Sequence, residues 1–137
     1  MSEFEPTLRE LLLAGHTVRF VASGDSMYPA IRGGDYLHIV PCGMPELRRG
    51  DVVLTATARG LTAHRIVRIG ERGGALRIIT RGDNSLRSDP PVGAADVLGR
   101  VAQVDRSTSV RKMGPEPATV VRFAAVLVRR LRARLQQ

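Results

Sequence analysis

The chain has 137 residues, 43% hydrophobic and 25% charged, which suits one soluble globular domain with a real core. Its single cysteine, Cys42, excludes an internal disulfide and a cysteine-based metal cluster. The net charge of +8 is concentrated at the C-terminal end: residues 106–137 carry seven arginines and Lys112 against one acid, while residues 1–105 are nearly neutral. A basic segment of this kind indicates an anionic partner, either a membrane surface or a nucleic acid.

Residues 6–14 predict a short helix that Pro6 opens and Gly15 closes. Short strands with glycine-rich turns between them follow, over residues 17–22, 36–40, 52–58, 61–69, 75–80 and 98–104. This regular spacing is typical of an all-β domain, so we predict a mainly β, twisted and partly barrel-like fold. The resulting organisation is a helical segment over residues 1–16, a β domain over 17–106 and a basic tail over 107–137.

The tail repeats apolar residues at helical spacing over residues 118–135, with arginines off the apolar stripe. This pattern predicts a basic amphipathic helix. Such a helix packs its stripe on the β domain or on a second copy of the chain, or it lies in a membrane interface. The tail lacks aromatic residues interleaved with its arginines for base stacking, so nucleic acid is the least favoured of its possible partners.

No segment of the sequence predicts secretion or a membrane span. Residues 1–5 are acidic, residues 11–14 are too short an apolar run, and the apolar run over 118–128 is interrupted by Arg122. We therefore expect a cytoplasmic protein, with the tail able to make a peripheral contact at the inner membrane face.

The segment over residues 23–29, Ser-Gly-Asp-Ser-Met-Tyr-Pro, carries the main candidate for chemistry. A serine at the end of a strand, beside free backbone N–H groups, has what an acyl-transfer nucleophile requires. Ser26 is that serine, and the backbone N–H groups of Asp25 and Ser26 are available to hold an oxyanion. A plain Gly/Ser/Pro turn is the structural alternative for the same residues.

A serine nucleophile needs a base, and the sequence offers few. Lys112, the only lysine, lies beyond the last predicted strand, which argues against a Ser–Lys pair. Among the histidines, His16 sits at a helix end, where capping explains it, and His38 lies in mid-strand with nothing beside it to indicate a role. His64 lies on the strand that leaves the hairpin at residues 59–60, and a neutral imidazole is a suitable base near neutral pH.

A histidine base is usually held by a carboxylate. The loop over residues 82–89, Gly-Asp-Asn-Ser-Leu-Arg-Ser-Asp, contains two. We expect Asp89 to orient His64, and Asp83 to stabilise the loop through turn hydrogen bonds. Arg65, beside His64, and Ser88, beside Asp89, are placed to support the site, and no cofactor or metal is expected.

Five segments, in this order along the chain, resemble those of type I signal peptidases, most closely the endoplasmic-reticulum and archaeal kind in which histidine replaces the catalytic lysine. They are residues 23–29, 47–53 (Leu-Arg-Arg-Gly-Asp-Val-Val), 63–67 (Ala-His-Arg-Ile-Val), 80–84 (Thr-Arg-Gly-Asp-Asn) with Asp89, and 98–101 (Leu-Gly-Arg-Val). The resemblance implies Ser26 as nucleophile, His64 as general base, Asp89 as the acid of the triad and a supporting role for Asp83. The fold that it implies is the coiled β domain shared with LexA-like self-cleaving repressors.

The chain departs from the signal-peptidase pattern in two ways: Asp25 stands where the family has a glycine beside the nucleophile, as in the LexA-like branch, and no membrane anchor is evident. Three functions stay open. The chain is a serine endopeptidase that cuts a leader-like peptide bound as an added strand, a peptide-binding module of the same fold with weak catalysis, or a LexA-like regulatory autoprotease. The complete set of Ser26, His64 and Asp89 favours the first.

Overall fold

The computed structural model of the protein describes residues 4–106, with side chains from Pro6 onward. The predicted amphipathic helix of the tail, together with its expected membrane or dimer contacts, lies outside the described residues. No helix within residues 4–106 is long and apolar enough to cross a lipid bilayer.

Helix α1 (Phe4–Leu13) begins two residues earlier than the sequence predicted and ends one residue earlier, just before the turn at the expected glycine. Gly15 has φ +89°, a left-handed conformation that closes the helix. Its N–H donates to the Leu12 carbonyl and the N–H of His16 donates to the Leu11 carbonyl, both at 3.0 Å. These two bonds satisfy carbonyls that would otherwise have no hydrogen-bond partner at the helix end. The expectation that His16 belongs to the helix cap is therefore correct.

The remaining elements form one antiparallel sheet. Its strands are β1 (Val18–Val21), β2 (Tyr36–Val40), β3 (Val52–Thr57), β4 (Gly60–Arg72), β5 (Ala75–Arg81), β6 (Val92–Gly93) and β7 (Val97–Asp105). The order across the sheet is β1-β2-β7-β3-β4-β5-β6, so β7, the last described strand, is inserted between β2 and β3. The mainly β prediction is confirmed, and only the two-residue β6 has no counterpart among the predicted strands.

The sheet does not close into a barrel, which corrects the expected partly barrel-like form. The strands β1 and β6 are its two edges, and neither pairs with the other. The two-residue β6 pairs only with β5, through Arg77↔Gly93 and Ile78↔Val92, and offers almost no backbone to a further strand.

The sheet carries two clusters of buried apolar side chains, because neighbouring residues of a strand point to opposite faces. The larger core joins α1 to β1, β2, β3 and β7 and contains Leu8, Leu11, Leu12, Val18, Met27, Ile31, Leu37, Ile39, Leu54, Ala56 and Leu98. The smaller core lies on β3, β4 and β5 and contains Leu47, Val53, Ile66, Ile78 and Val92. The loop that carries Ser26 is anchored in the larger core through Met27.

Candidate active site

Ser26 lies on the loop that follows β1, with its side chain exposed. The next residue, Met27, is 4% exposed and is part of the larger core, so the apolar side chain anchors the loop directly beside the hydroxyl. The Tyr28 N–H donates to the Asp25 carbonyl at 3.1 Å and the Ile31 N–H donates to the Met27 carbonyl at 3.0 Å. The local hydrogen bonds and the buried methionine therefore hold a small polar side chain at the surface.

The three residues expected to form a triad come together from separate parts of the chain. His64, on β4, lies with Nε2 3.0 Å from the Ser26 Oγ and with Nδ1 2.6 Å from Oδ2 of Asp89. The His64 side chain is 13% exposed and that of Asp89 is 27% exposed. When Nδ1 carries the proton that the Asp89 carboxylate accepts, Nε2 has a free lone pair directed at the serine hydroxyl.

Asp89 is held by a residue that the sequence did not single out. Thr80, at 3% exposure on β5, donates its hydroxyl to Asp89 Oδ2 at 2.8 Å. The Asp89 N–H in turn donates to the Thr80 carbonyl at 2.8 Å. Because two bonds fix both the backbone and the carboxylate of Asp89, the carboxylate is oriented towards His64 independently of the histidine itself.

The loop after β5 also holds the serine loop directly. The Asn84 N–H donates to the Ser26 carbonyl at 2.9 Å, and the Asn84 side-chain amide donates to the Asp25 carbonyl at 3.1 Å. Gly82 is buried, and a Cβ built on it would stand 2.5 Å from the Ser26 carbonyl oxygen and 3.2 Å from His64 Nε2. The close contact of the two loops therefore depends on the absence of a side chain at position 82.

Arg65 and Asp83 tie this loop to β4. The Arg65 guanidinium donates two hydrogen bonds of 2.9 Å to the Asp83 carboxylate and one of 2.7 Å to the Gly50 carbonyl. The bonds from Arg65 hold the pKa of the Asp83 carboxyl below its ordinary value. The Asp83 N–H points at the Met27 sulfur at 3.3 Å, so Asp83 supports the nucleophile loop through its backbone and its side chain.

Two backbone N–H groups are free near the nucleophile. Within residues 4–106, the N–H groups of Asp25 and Ser26 donate to no other backbone or side-chain group. The expected oxyanion donors are therefore not occupied by other described residues, and they lie on the same tight loop as the hydroxyl.

Ser88, His38 and Cys42 take no part in this arrangement. The Ser88 side chain is exposed and makes no hydrogen bond to another residue of the described part of the chain. His38 places Nε2 2.7 Å from Asp105 Oδ2, a pairing of residues 67 positions apart that gives this histidine a structural partner. Cys42 is partly buried, and burial raises the pKa of its thiol, which disfavours the reactive thiolate.

Two clefts reach His64 from opposite faces of the sheet. One, of about 510 Å³, extends from Ser26 and is lined mainly by apolar residues: Phe20, Val21, Ala22, Met27, Ile31, Leu37, Leu54, Leu61 and Ala63. The other, of about 440 Å³, extends from Asp89 and is lined by threonines, Arg59, Asp96 and the segment 90–92. Across residues 4–106, no three His, Cys, Asp or Glu side chains are placed to hold a metal ion.

A scan against protein-family models finds no match to the chain, and a search of curated proteins finds no match either. The resemblance to type I signal peptidases accordingly remains a resemblance of motifs.

The sequence predicted the three triad positions but not Thr80, Gly82 or Asn84 as functional residues. All three lie in or beside the segment over residues 80–84 that carried part of the resemblance. Their contacts depend on the register between β4 and β5, which contains an irregularity between Ile66 and Arg68. Strand patterning alone does not predict such a shift, so these partners could be found only in the folded chain.

Proposed function

We propose that the protein is a serine endopeptidase with a signal-peptidase-type β domain, in which Ser26, His64 and Asp89 form the catalytic triad. The observation that carries the proposal is the unbroken set of contacts from the Ser26 hydroxyl through both ring nitrogens of His64 to the Asp89 carboxylate, at 3.0 and 2.6 Å. The motif resemblance is an independent support from the sequence.

The geometry suits acyl transfer. Ser26 Oγ attacks the carbonyl carbon of the scissile peptide bond while His64 Nε2 accepts the hydroxyl proton. The oxyanion that forms accepts hydrogen bonds from the free N–H groups of Asp25 and Ser26. His64 then gives its proton to the departing amine, and a water activated by the same imidazole releases the acyl group from Ser26. The Asp89 carboxylate stabilises the imidazolium formed between these steps.

The sheet offers a place for an extended substrate. Over residues 60–64, β4 pairs with β3 on one side, while its pairing with β5 begins only at Arg65↔Arg81. The other side of β4 therefore has no strand neighbour there within residues 4–106, and it borders the apolar cleft beside Ser26. A peptide added along this edge places alternate side chains in that cleft, which favours small or apolar residues near the cleaved bond.

The proposal is tested by Ser26→Ala on a panel of leader-like peptides with small residues before the cleaved bond. We expect a loss of at least about 10³-fold in kcat/KM, because the nucleophile is removed, with an unchanged melting temperature. Ser85→Ala is the matched control, since the Ser85 hydroxyl bonds only to the Arg87 backbone at the outer end of the neighbouring loop. Cleavage by the parent protein and by Ser26→Ala at equal rates would reject the nucleophile assignment, and binding without cleavage would favour the peptide-binding module.

A further inference from the structure

The hairpin formed by β4 and β5 carries an excess of positive charge that the triad does not use. Residues 65–81 contain five arginines and a single acid, Glu71. Arg65 is accounted for by its bonds to Asp83 and Gly50. The other four are Arg68, Arg72, Arg77 and Arg81, and we call them the arginine face.

The strand register places these four side chains on one face of the hairpin. Along β5, alternation puts Ala75, Arg77, Ile79 and Arg81 on the same side. Paired residues share a face, and the pairs are Arg65↔Arg81, Arg68↔Ile79, Gly70↔Arg77 and Arg72↔Ala75. Glu71, paired with Leu76, starts from the opposite face of the hairpin but borders the same cleft as three of the arginines, so one carboxylate stands against them.

The arginine face is exposed, and only Arg81, which helps to lower the pKa of the Asp83 carboxyl, lies near a carboxylate of the catalytic loop region. All four side chains are exposed, and none makes a hydrogen bond or an ion pair with another residue of the described range. Arg68, Arg72 and Arg77 border a cleft of about 480 Å³, together with Glu71, Gly70, Ile79 and Pro91. Three guanidinium groups against one carboxylate give this cleft an excess of positive charge, which suits it to binding an anionic ligand.

The same face continues to the candidate catalytic centre. Ala63, which lines the apolar cleft beside Ser26, lies two residues before Arg65 on β4 and therefore points to the same side. At the end of β5, Arg81 directly precedes Gly82, which lies against the Ser26 backbone. From Arg81 to Ala75, the partner of Arg72, the face is about 20 Å long, the reach of about six extended residues.

We propose that the arginine face binds an acidic segment of the polypeptide that the triad cleaves. This inference rests on the proposed peptidase function for the link between the two sites. An acidic peptide fits better than a single-stranded nucleic acid because residues 65–81 contain no aromatic side chain on which a base could stack. Carboxylates suit the planar guanidinium fork, and the length of the face matches a run of about six acidic residues.

The first test compares two variants that each lose two positive charges. Arg72→Gln/Arg77→Gln removes half of the arginine face, and Arg48→Gln/Arg49→Gln removes two exposed arginines outside it. The probe is a fluorescent hexaglutamate peptide, and the readout is anisotropy at low salt and at about 0.5 M salt. We expect the first variant to bind the probe about 5-fold more weakly than the parent, the control variant to bind like the parent, and high salt to remove the difference.

The second test uses cleavable peptides with six glutamates or six glutamines, placed before or after the cleaved bond. In at least one placement, the glutamate peptide should have the lower KM, and Arg72→Gln/Arg77→Gln should remove this advantage without changing kcat on the glutamine peptide. If hexaglutamate binding depends on the arginine face but no peptide is cut, the binding surface stands and the peptidase function fails. If peptides are cut but neither test separates the two variants, the acidic-segment proposal is wrong. Tighter binding of hexathymidylate or of phosphatidylserine vesicles at the same arginines would also reject it.

Discussion

Gly82 shows how a single residue without a side chain can decide the geometry of this site. A Cβ at this position would stand 2.5 Å from the Ser26 carbonyl oxygen, closer than real side chains approach backbone oxygen. The serine loop would have to move, and with it the hydroxyl that lies 3.0 Å from His64 Nε2. The glycine is therefore part of the proposed catalytic arrangement although it supplies no reactive group.

We expect Gly82→Ala to lower kcat on a cleavable peptide by about 10²-fold, because a shift of the order of 1 Å misplaces the nucleophile. The measurement is steady-state kinetics together with the melting temperature, which distinguishes a displaced loop from an unfolded domain. Gly43→Ala is the control, since its Cβ would meet only the Pro45 ring at 3.7 Å and its φ is −82°. Full activity of Gly82→Ala would show that the serine loop tolerates displacement.

At the scale of elements, the site depends on the attachment of the loop after β5 to β4. Two bonds from Arg65 to the Asp83 carboxylate fix the position of that loop relative to the strand that carries His64, and a third, to the Gly50 carbonyl, holds the guanidinium itself. At the other end of the loop, the Thr80 hydroxyl donates to the Asp89 carboxylate and holds it against β5. The loop is thus tied to the sheet on both sides of the triad.

We expect Asp83→Asn to lower the free energy of unfolding at neutral pH by about 1 kcal/mol, because Arg65 loses its charged partner. The pKa of Asp83 is lowered in the folded protein, so its stabilisation is complete above the unfolded-state pKa of about 3.9 and is lost as the pH falls through the folded-state pKa. Denaturant unfolding at neutral pH and in the acid range measures this dependence. Asp96→Asn, which removes a carboxylate that has no hydrogen-bond partner within residues 4–106, is the control. A stability difference that stays constant into strong acid would contradict the assignment.

At the scale of the whole molecule, the charge is divided between a nearly neutral body and a basic tail. The tail over residues 107–137 lies outside the described residues, so its contribution is predicted from the sequence alone. We propose that it holds the active site at the cytoplasmic face of the membrane, with the apolar stripe in the interface and the arginines at anionic headgroups.

We expect the full-length protein to float with phosphatidylserine vesicles at low salt and not at high salt, since the attraction is screened. Replacing Arg129 and Arg130 by glutamine should weaken binding, because each basic group contributes on the order of 1 kcal/mol near such a surface. The Arg48→Gln/Arg49→Gln protein is the control for overall charge. A full-length protein that never floats at low salt would end the membrane proposal and leave packing on the β domain or on a second copy.

The sequence by itself determined the local features. Strand positions, the glycine that ends α1 and the hairpin at Gly60 follow from residue alternation and from conformations that glycine adopts at low cost. The serine at a strand end, the strand histidine and the loop carboxylate were likewise evident as residue types in a recognisable order.

Only the tertiary structure decided which distant residues meet. The insertion of β7 between β2 and β3, the open edges of the sheet and the irregular register of β4 against β5 depend on pairing between segments far apart in the chain. The places of Thr80, Asn84 and Gly82 at the triad follow from the register of β4 against β5. The contact of His38 with Asp105 follows from the pairing of β2 with β7. Local sequence patterns indicate which face of a strand is buried. Which strand pairs with it, and in which register, is selected by the packing of the whole domain, so only the folded structure shows these pairings.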